Sequence, residues 1–373
     1  MNSQFKKRRI YVAALTKGKN VPSSRFRVRQ YIDPLLQECV TVTEYCPAIP
    51  QMIQLPWIFG RIRRRYLFPW AIIQSFINII TRLPSFVGSR KSDITLISRS
   101  VVPGLEETVK LLPHPRVLDV DDAIWLSDPR GVGSAARLAK NVDVVIAGNE
   151  YISRWYSQYC NEVYVVPTAI DTEKYRPRTS HETKSRHCCT IGWIGTSGNF
   201  PNLKIAKPAL EKVLIDRDDV RILIISNERP YGWQFDGERV EFRYWSESGE
   251  VSDLQELDVG IMPLRDSDWS QGKCSFKLLQ YMAVGIPVVA SPVGMNNDVL
   301  SAGDVGFSAS NETEWYGSVL KLCDDPKFRV CLGKQGRKVV VEKYSTEVVA
   351  RQLADVFERV ALAHGRKAGW KCR

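Results

Sequence analysis

Trp269–Asn297 reads WSQGKCSFKLLQYMAVGIPVVASPVGMNN. A small polar loop, Ser270 to Gly272, leads into a helical pattern over about Ser275–Ala283. Gly285 can end that helix in a left-handed cap, and Pro287 prevents its continuation. A strand follows at Pro287–Ala290, then a second glycine turn at Gly294. Phe276, Leu279 and Ala283 fall along one stripe of the helix, which Leu278 and Met282 extend. Lys277 and Gln280 fall on the other side, with Lys273 one turn before Lys277. Two ammonium groups and an amide therefore line up at a helix N-terminus. The backbone N–H groups of Cys274, Ser275 and Phe276 and the helix dipole favour an anion at the same place. The opposing reading is a surface helix with two solvated lysines.

Outward from this stretch, short apolar runs alternate with helical ones along the whole chain. The strands expected are Ile10–Leu15, Ile94–Ser98, Arg116–Val120, Val142–Ala147, Val163–Val166, Thr190–Ile194, Val220–Ile225, Val259–Met262 and Pro287–Ala290. Runs this apolar suit strands covered on both faces, and the alternation predicts α/β folding with parallel sheets and crossover helices. Tyr175–His187, YRPRTSHETKSRH, is polar and aperiodic, and a new strand starts just after it. The reading is two Rossmann-like domains, 1–175 and 186–345. The last helical stretch, within 346–373, is free to pack on either.

With 373 residues the chain can bury two cores. The net charge of +11 is concentrated: residues 1–90 hold 15 Lys and Arg against three acids, Asp33, Glu38 and Glu44. A localised excess of this kind suits a polyanionic partner such as an anionic membrane surface, or serves solubility alone. Within it, Pro56–Phe86 sets Arg61, Arg63, Arg64 and Arg65 beside Trp57, Phe59, Tyr66 and Trp70, ahead of an apolar stretch to Ile80. That stretch is interrupted and shorter than the ~20 apolar residues of a spanning helix. It reads as a helix lying in the interface, or as a buried helix with a solvated arginine cluster. The basic start carries an apolar run of only Ile10 to Leu15, too short for a signal peptide. Nine cysteines without a C-x-x-C pair, and four histidines without ligand spacing, predict free thiols in a reducing, cytoplasmic setting and no structural metal. No nucleic-acid-binding motif accompanies the basic residues, so no nucleic-acid partner is expected.

Three further stretches carry candidate chemistry. Gly192–Gly198, GWIGTSG, follows a strand and places Gly195, Thr196 and Ser197 in a tight turn or against a ligand. Trp245, in RYWSE, reads as a nucleobase contact or a core residue. Leu118–Trp125, LDVDDAIW, puts Asp119, Asp121 and Asp122 at the carboxyl end of a strand. There they can orient substrate hydroxyls, bind a metal as a D-x-D pair, serve a phosphotransferase, or cap the next turn.

GKCSFKLLQYMAVGIPVVASPVG resembles the donor-binding segment of the family 4 retaining glycosyltransferases, the glycosyl transferases of group 1. Ser23–Tyr31, SSRFRVRQY, with Ser24 and Arg25, resembles the first helix of a subgroup of that family. LDVDDAIW resembles that subgroup's D-x-DD-A-x-W signature, and Pro167–Pro177, PTAIDTEKYRP, the close of its first domain. The resemblance implies the GT-B fold: two facing Rossmann-like domains with an interdomain cleft, and a C-terminal helix, 346–373, returning to the first. It implies retention of configuration, a nucleoside-diphosphate sugar as donor, and no metal or other cofactor. The family's pair of glutamates is replaced here by Gly272 and Gln280, and its Arg and Lys after the second domain's first strand by GTSGNFPN.

Together these readings predict a glycosyltransferase of surface-polysaccharide synthesis on the inner face of a membrane, acting on a glycan or lipid-linked glycan. Lys277 and Lys273, with the N–H groups of Cys274–Phe276, would meet the leaving diphosphate, and Gln280 the ribose. Gly195, Thr196, Ser197 and Gly272 would line the donor. Asp121 and Asp122 would orient substrate or accept its proton, with Asp119, Ser24 and Arg25 on the acceptor side. A sugar-nucleotide epimerase, a D-x-D phosphotransferase or phosphatase, and a non-catalytic relative are the alternatives.

Overall fold

The computed structural model describes residues 8–19, 21–47, 67–102, 104–127, 129–178, 188–230 and 239–365, with side chains in the third range from residue 76 on. The Arg61–Arg65 cluster and most of the linker before Cys188 lie outside the described residues. The chain divides into two compact units, Met1–Thr168 with Val349–Arg373, and Ala169–Val348.

The first unit holds β1 (Ile10–Leu15), β2 (Val40–Tyr45), β3 (Ile94–Ser98), β4 (Arg116–Val120), β5 (Val144–Ala147) and β6 (Val163–Val165). They form one parallel sheet in the order β2-β1-β3-β4-β5-β6. Every residue of β3, β4 and β5 is buried, as expected of strands with helices on both faces. The helices are α1 (Pro22–Arg27), α2 (Ile32–Gln37), α3 (Leu67–Ser89), α4 (Gly131–Ala139) and α5 (Glu150–Tyr156). Asn149 caps α5, its side chain accepting the Ile152 N–H at 2.9 Å.

A buried ion pair ties α1 to this sheet. Arg27, 1% exposed, donates from Nε to both oxygens of Asp119, 3% exposed, at 3.2 and 3.1 Å. Its Nη1 reaches the Val166 carbonyl at 3.0 Å and Thr168 Oγ1 at 3.3 Å. Burial alone would loosen the guanidinium's proton, and the Asp119 carboxylate more than reverses that.

The second unit holds β7 (Cys189–Ile194), β8 (Val220–Ser226), β9 (Val240–Tyr244), β10 (Val259–Met262), β11 (Val288–Ala290) and β12 (Gly306–Ser308). Its sheet is also parallel, in the order β12-β11-β10-β7-β8-β9. Around it lie α6 (Phe200–Asp216), α7 (Glu250–Gln255), α8 (Asp268–Gln271), α9 (Phe276–Ala283), α10 (Met295–Leu300), α11 (Glu312–Asp324) and α12 (Pro326–Lys343). Trp193, Leu203, Leu210, Val213, Ile224, Ile261 and Trp315 fill one core cluster. The chain ends in α13 (Thr346–Ala363), which from Val349 on belongs to the first unit. Its buried Val349, Ala350, Leu353, Phe357 and Val360 follow the helical period.

In each sheet the order reverses beside the first strand, at β1/β3 and at β7/β10. Ligands of open α/β sheets settle at the carboxyl ends of strands at such a point. Three strands escape the reading of apolar runs: β2, β9 and β12. All three are sheet edges. An edge strand is covered less, so VTVTEY and VEFRY mix polar and apolar residues and leave no apolar run.

Removing one partner of a buried pair strands the other charge, whereas replacing both with apolar groups does not. Asp119→Asn is therefore expected to cost about 3–5 kcal/mol of unfolding free energy. The double variant Arg27→Met, Asp119→Leu should regain most of that loss, both read from urea midpoints.

Candidate functional site

The site is built where α9 lies against the second sheet. A Cβ on Gly260 of β10 would fall 2.3 Å from the Tyr281 ring, so glycine alone lets the helix come this close. The Tyr281 hydroxyl accepts the Ile194 N–H at 2.9 Å and donates to the Ile261 carbonyl at 3.3 Å. It thereby ties α9 to the ends of β7 and β10. Leu278 to Ala283 are all buried, so α9 is an interior helix, not a surface one. At its start Ser275 is left-handed, with φ 51° and ψ 25°, and no side chain caps the helix. Ser275 Oγ donates to Asn296 Oδ1 at 2.7 Å, and Asn296 Nδ2 donates to the Ser291 carbonyl at 3.0 Å. The turn at Gly294, φ 54°, packs so closely that a Cβ there would meet the Gln271 carbonyl oxygen at 2.9 Å.

Lys277 is half-buried, its Nζ 4.7 Å from the Trp193 ring centroid. A Cβ on Gly195 would lie 2.7 Å from that Nζ, so the ammonium occupies the hollow this glycine leaves. Among the described residues no carboxylate pairs with it. Burial, and then the charge of Lys273, lower its pKa to about 7. Lys273, also half-buried, donates to Asn199 Oδ1 at 3.4 Å and lies 5.8 Å from the Trp269 ring centroid. The loop it reaches is set by its own bonds. Asn199 Nδ2 donates to the exposed Thr196 Oγ1 at 2.9 Å, and the Ser197 N–H donates to Asn227 Oδ1 at 2.8 Å. Gly272 and Cys274 are buried, and Phe276 half-buried, alongside. The arrangement sets two ammonium groups, a glycine loop and a helix start around one place, which suits a polyanion.

Gln280 is buried, and its Nε2 donates to Glu250 Oε1 at 3.0 Å. The Trp245 indole N–H donates to the same oxygen at 3.1 Å, and the Tyr175 hydroxyl donates to Oε2. Trp245 itself is 41% exposed. Glu250, missed in the sequence, organises this corner. Its only signal there is an acid in the first turn of α7.

The aspartates lie in the first unit. Asp119 is taken up by Arg27, as above. Arg99, in a left-handed conformation with φ 66°, donates from Nε to Asp121 Oδ1 at 2.7 Å and from Nη2 to Asp122 Oδ2. Asp119 and Asp121 are thus drawn to different arginines. The turn Ile124–Leu126 follows Ala123 and starts without a side-chain cap. Ser24 is buried with no partner for its Oγ, and Arg25 stands 4.8 Å from the Phe26 ring centroid. No group of three or more His, Cys, Asp or Glu able to hold a metal occurs among the described residues.

Two parallel α/β units, one carrying a cationic hollow at the carboxyl end of its first strand, define a nucleotide-type fold. Residues 188–325, all within the second unit, match the family model described as glycosyl transferases group 1. Solved structures share the whole fold at low identity. A sucrose-phosphate synthase from Thermosynechococcus elongatus is 13% identical over 95% of this chain and 100% of that one, with a TM-score of 0.69. Anabaena HepE in complex with UDP and glucose is 13% identical over 94% and 100%, at 0.68. A Rickettsia africae glycosyltransferase is 10% identical over 94% and 98%, at 0.66. The fold is GT-B. No curated protein matches the chain by sequence.

An amine with a pKa near 7 is mostly neutral and nucleophilic at pH 8, whereas an ordinary lysine near 10.4 is still charged. Lys277 should therefore be acylated ahead of exposed lysines at pH 8, and its own labelling rate should fall with its neutral fraction as pH drops below 7. Peptide mass mapping after brief labelling checks this.

Proposed function

We propose that the chain transfers a sugar from a nucleoside-diphosphate sugar to an acceptor hydroxyl, with retention of configuration and without a metal. One observation carries this reading: the Lys277 ammonium, half-buried and without a carboxylate, held in the Gly195 hollow within reach of Lys273. The group 1 domain over residues 188–325 supports it, and so does the likeness to HepE, which is solved with UDP and glucose.

The leaving diphosphate gains negative charge in the transition state, and positive groups fixed in advance lower that barrier. Lys277 and Lys273 supply the charge a metal would otherwise bring. The backbone of Cys274–Phe276, with Gly272, Gly195, Thr196 and Ser197, completes the diphosphate pocket. Gln280 has its amide nitrogen committed to Glu250, so its oxygen accepts the ribose hydroxyl. Trp245, fixed through its N–H and exposed beyond it, offers a face to the base. Asp121 and Asp122, steadied by Arg99, orient the acceptor or take its proton. Binding a diphosphate favours charged Lys277, so nucleotide affinity falls as pH rises above 7.

The acceptor is a lipid-linked glycan of surface-polysaccharide synthesis, reached from the cytoplasmic face of a membrane. On α3, Phe76, Ile80, Leu83 and Val87 are 64, 47, 52 and 58% exposed. Their spacing puts them on one face. Among the described residues no helix is long and apolar enough to cross a bilayer. An apolar stripe in the most basic part of the chain suits a helix lying on an anionic membrane.

Lys277→Ala should lower kcat/KM with a UDP-sugar by about 2–4 kcal/mol in transition-state terms, with EDTA leaving wild-type turnover unchanged. Unchanged turnover of the variant sinks the assignment. Phe76→Ser, Leu83→Ser should release the protein from vesicles of phosphatidylglycerol, scored by sedimentation.

A further inference from the structure

The first unit has its own surplus of positive charge, at the carboxyl ends of β1, β2 and β3. Four carboxylates stand there or one step beyond, and three arginines take them all. Arg27 holds Asp119, Arg29 holds Glu44 through Nε and Nη2 at 2.9 Å each, and Arg99 holds Asp121 and Asp122. Lys17 and Arg82 are left with no carboxylate partner among the described residues.

Arg82 comes from α3 and is 1% exposed. Its Nε donates to the Val101 carbonyl at 3.0 Å and its Nη1 to the Tyr45 carbonyl at 3.3 Å. Tyr45 ends β2 and Val101 lies just past β3, the two strands flanking β1, so the guanidinium spans the end of β1. The Thr16 N–H also donates to the Tyr45 carbonyl, at 3.2 Å, which puts Lys17 at the same place. Arg82 Nη2 is buried and has no hydrogen-bond partner. Ser98, one step past the Leu15–Ile97 pair, is buried with its Oγ unpartnered, as are Ser23 and Ser24 on α1.

A buried donor without an acceptor costs about 1–3 kcal/mol, more when charged. Such a cost at one end of a sheet, beside a second cation without a carboxylate partner and at the topological switch point, marks a place suited to an anionic ligand. We infer that Lys17, Arg82 and Ser98 form an oxyanion site that takes a phosphate or carboxylate carried by the acceptor. The acceptor is therefore acidic. Its identity as acceptor rests on the transferase reading; the anion site itself does not. Burial, and then the nearby Arg99, lower the Lys17 pKa to about 8, while burial lowers Arg82 to about 10, so an anion would relieve both.

The test is calorimetric titration of the full chain with inorganic phosphate and, separately, glucuronate. Saturable binding of phosphate points to a phosphorylated acceptor, and of glucuronate to a uronic acid. Lys17→Met should weaken whichever binds about tenfold or more, the loss of one charge-assisted hydrogen bond. Arg82→Gln, which keeps a donor for Val101, should do the same, with thermal melts confirming that both variants fold. The titrations are made in the Lys273→Met, Lys277→Met background, which removes phosphate bound at the donor pocket, and that background should keep saturable anion binding that Lys17→Met weakens. Binding of neither anion, binding unchanged in Lys17→Met, or binding lost in the Lys273 and Lys277 variant overturns the site. UDP titrated in parallel reports on the donor reading independently.

Discussion

The closeness of α9 to its sheet is the constraint on which the second unit's site depends. A helix normally stands off a sheet by the thickness of its side chains. Here Gly260 gives up its side chain to the Tyr281 ring, and the Tyr281 hydroxyl bridges the ends of β7 and β10. That fixes the turn of α9 carrying Lys277 at a set height above Trp193 and Gly195. The ammonium then has a ring face below it and no carboxylate beside it. Its proton is loosely held because burial, and then the charge of Lys273, disfavour the ammonium. A site built this way offers charge to an incoming anion without rearrangement.

The two units solve the same problem in different ways. Both are parallel sheets whose order reverses beside the first strand, and both gather cations at that end. The second unit sets Lys277 over the Trp193 ring and Lys273 against the Asn199 amide, and lines them with small residues and backbone. The first sets its aspartates against arginines, and Arg27 with Asp119 serves the fold, fastening α1 to the sheet through a bond that water cannot reach. Aspartates three residues apart in one motif thus do different work. Asp119 is interior, while Asp121 and Asp122 stay at the rim on Arg99.

The interior strands were plain in the sequence because burial on both faces favours apolar runs, as in β5 and β11. Edge strands β2, β9 and β12 were not, since half-exposed strands tolerate polar residues. The region of the site was legible too: a helix, a glycine, a strand and a second glycine turn stand in the order the structure shows, although Ser270 and Gln271, read as loop, close helix α8. Its partners were less so. Nothing near Gln280 in the chain hints that Glu250, thirty positions away, takes its amide, or that Tyr175 and Trp245 meet the same carboxylate.

What the sequence determined by itself was local and periodic: α/β alternation, the position of α9, the glycines that allow close turns, and where the basic residues accumulate. These follow from covalent geometry and from the apolar pattern each element must show. Only the tertiary structure decided which charges are neutralised. Lys277, Arg82, Arg99 and Arg27 are alike as letters, yet one lies over a ring, one is short of an acceptor, one holds two aspartates and one is sealed inside. Pairing depends on distances between segments far apart in the chain, and those distances exist only once the sheets have formed.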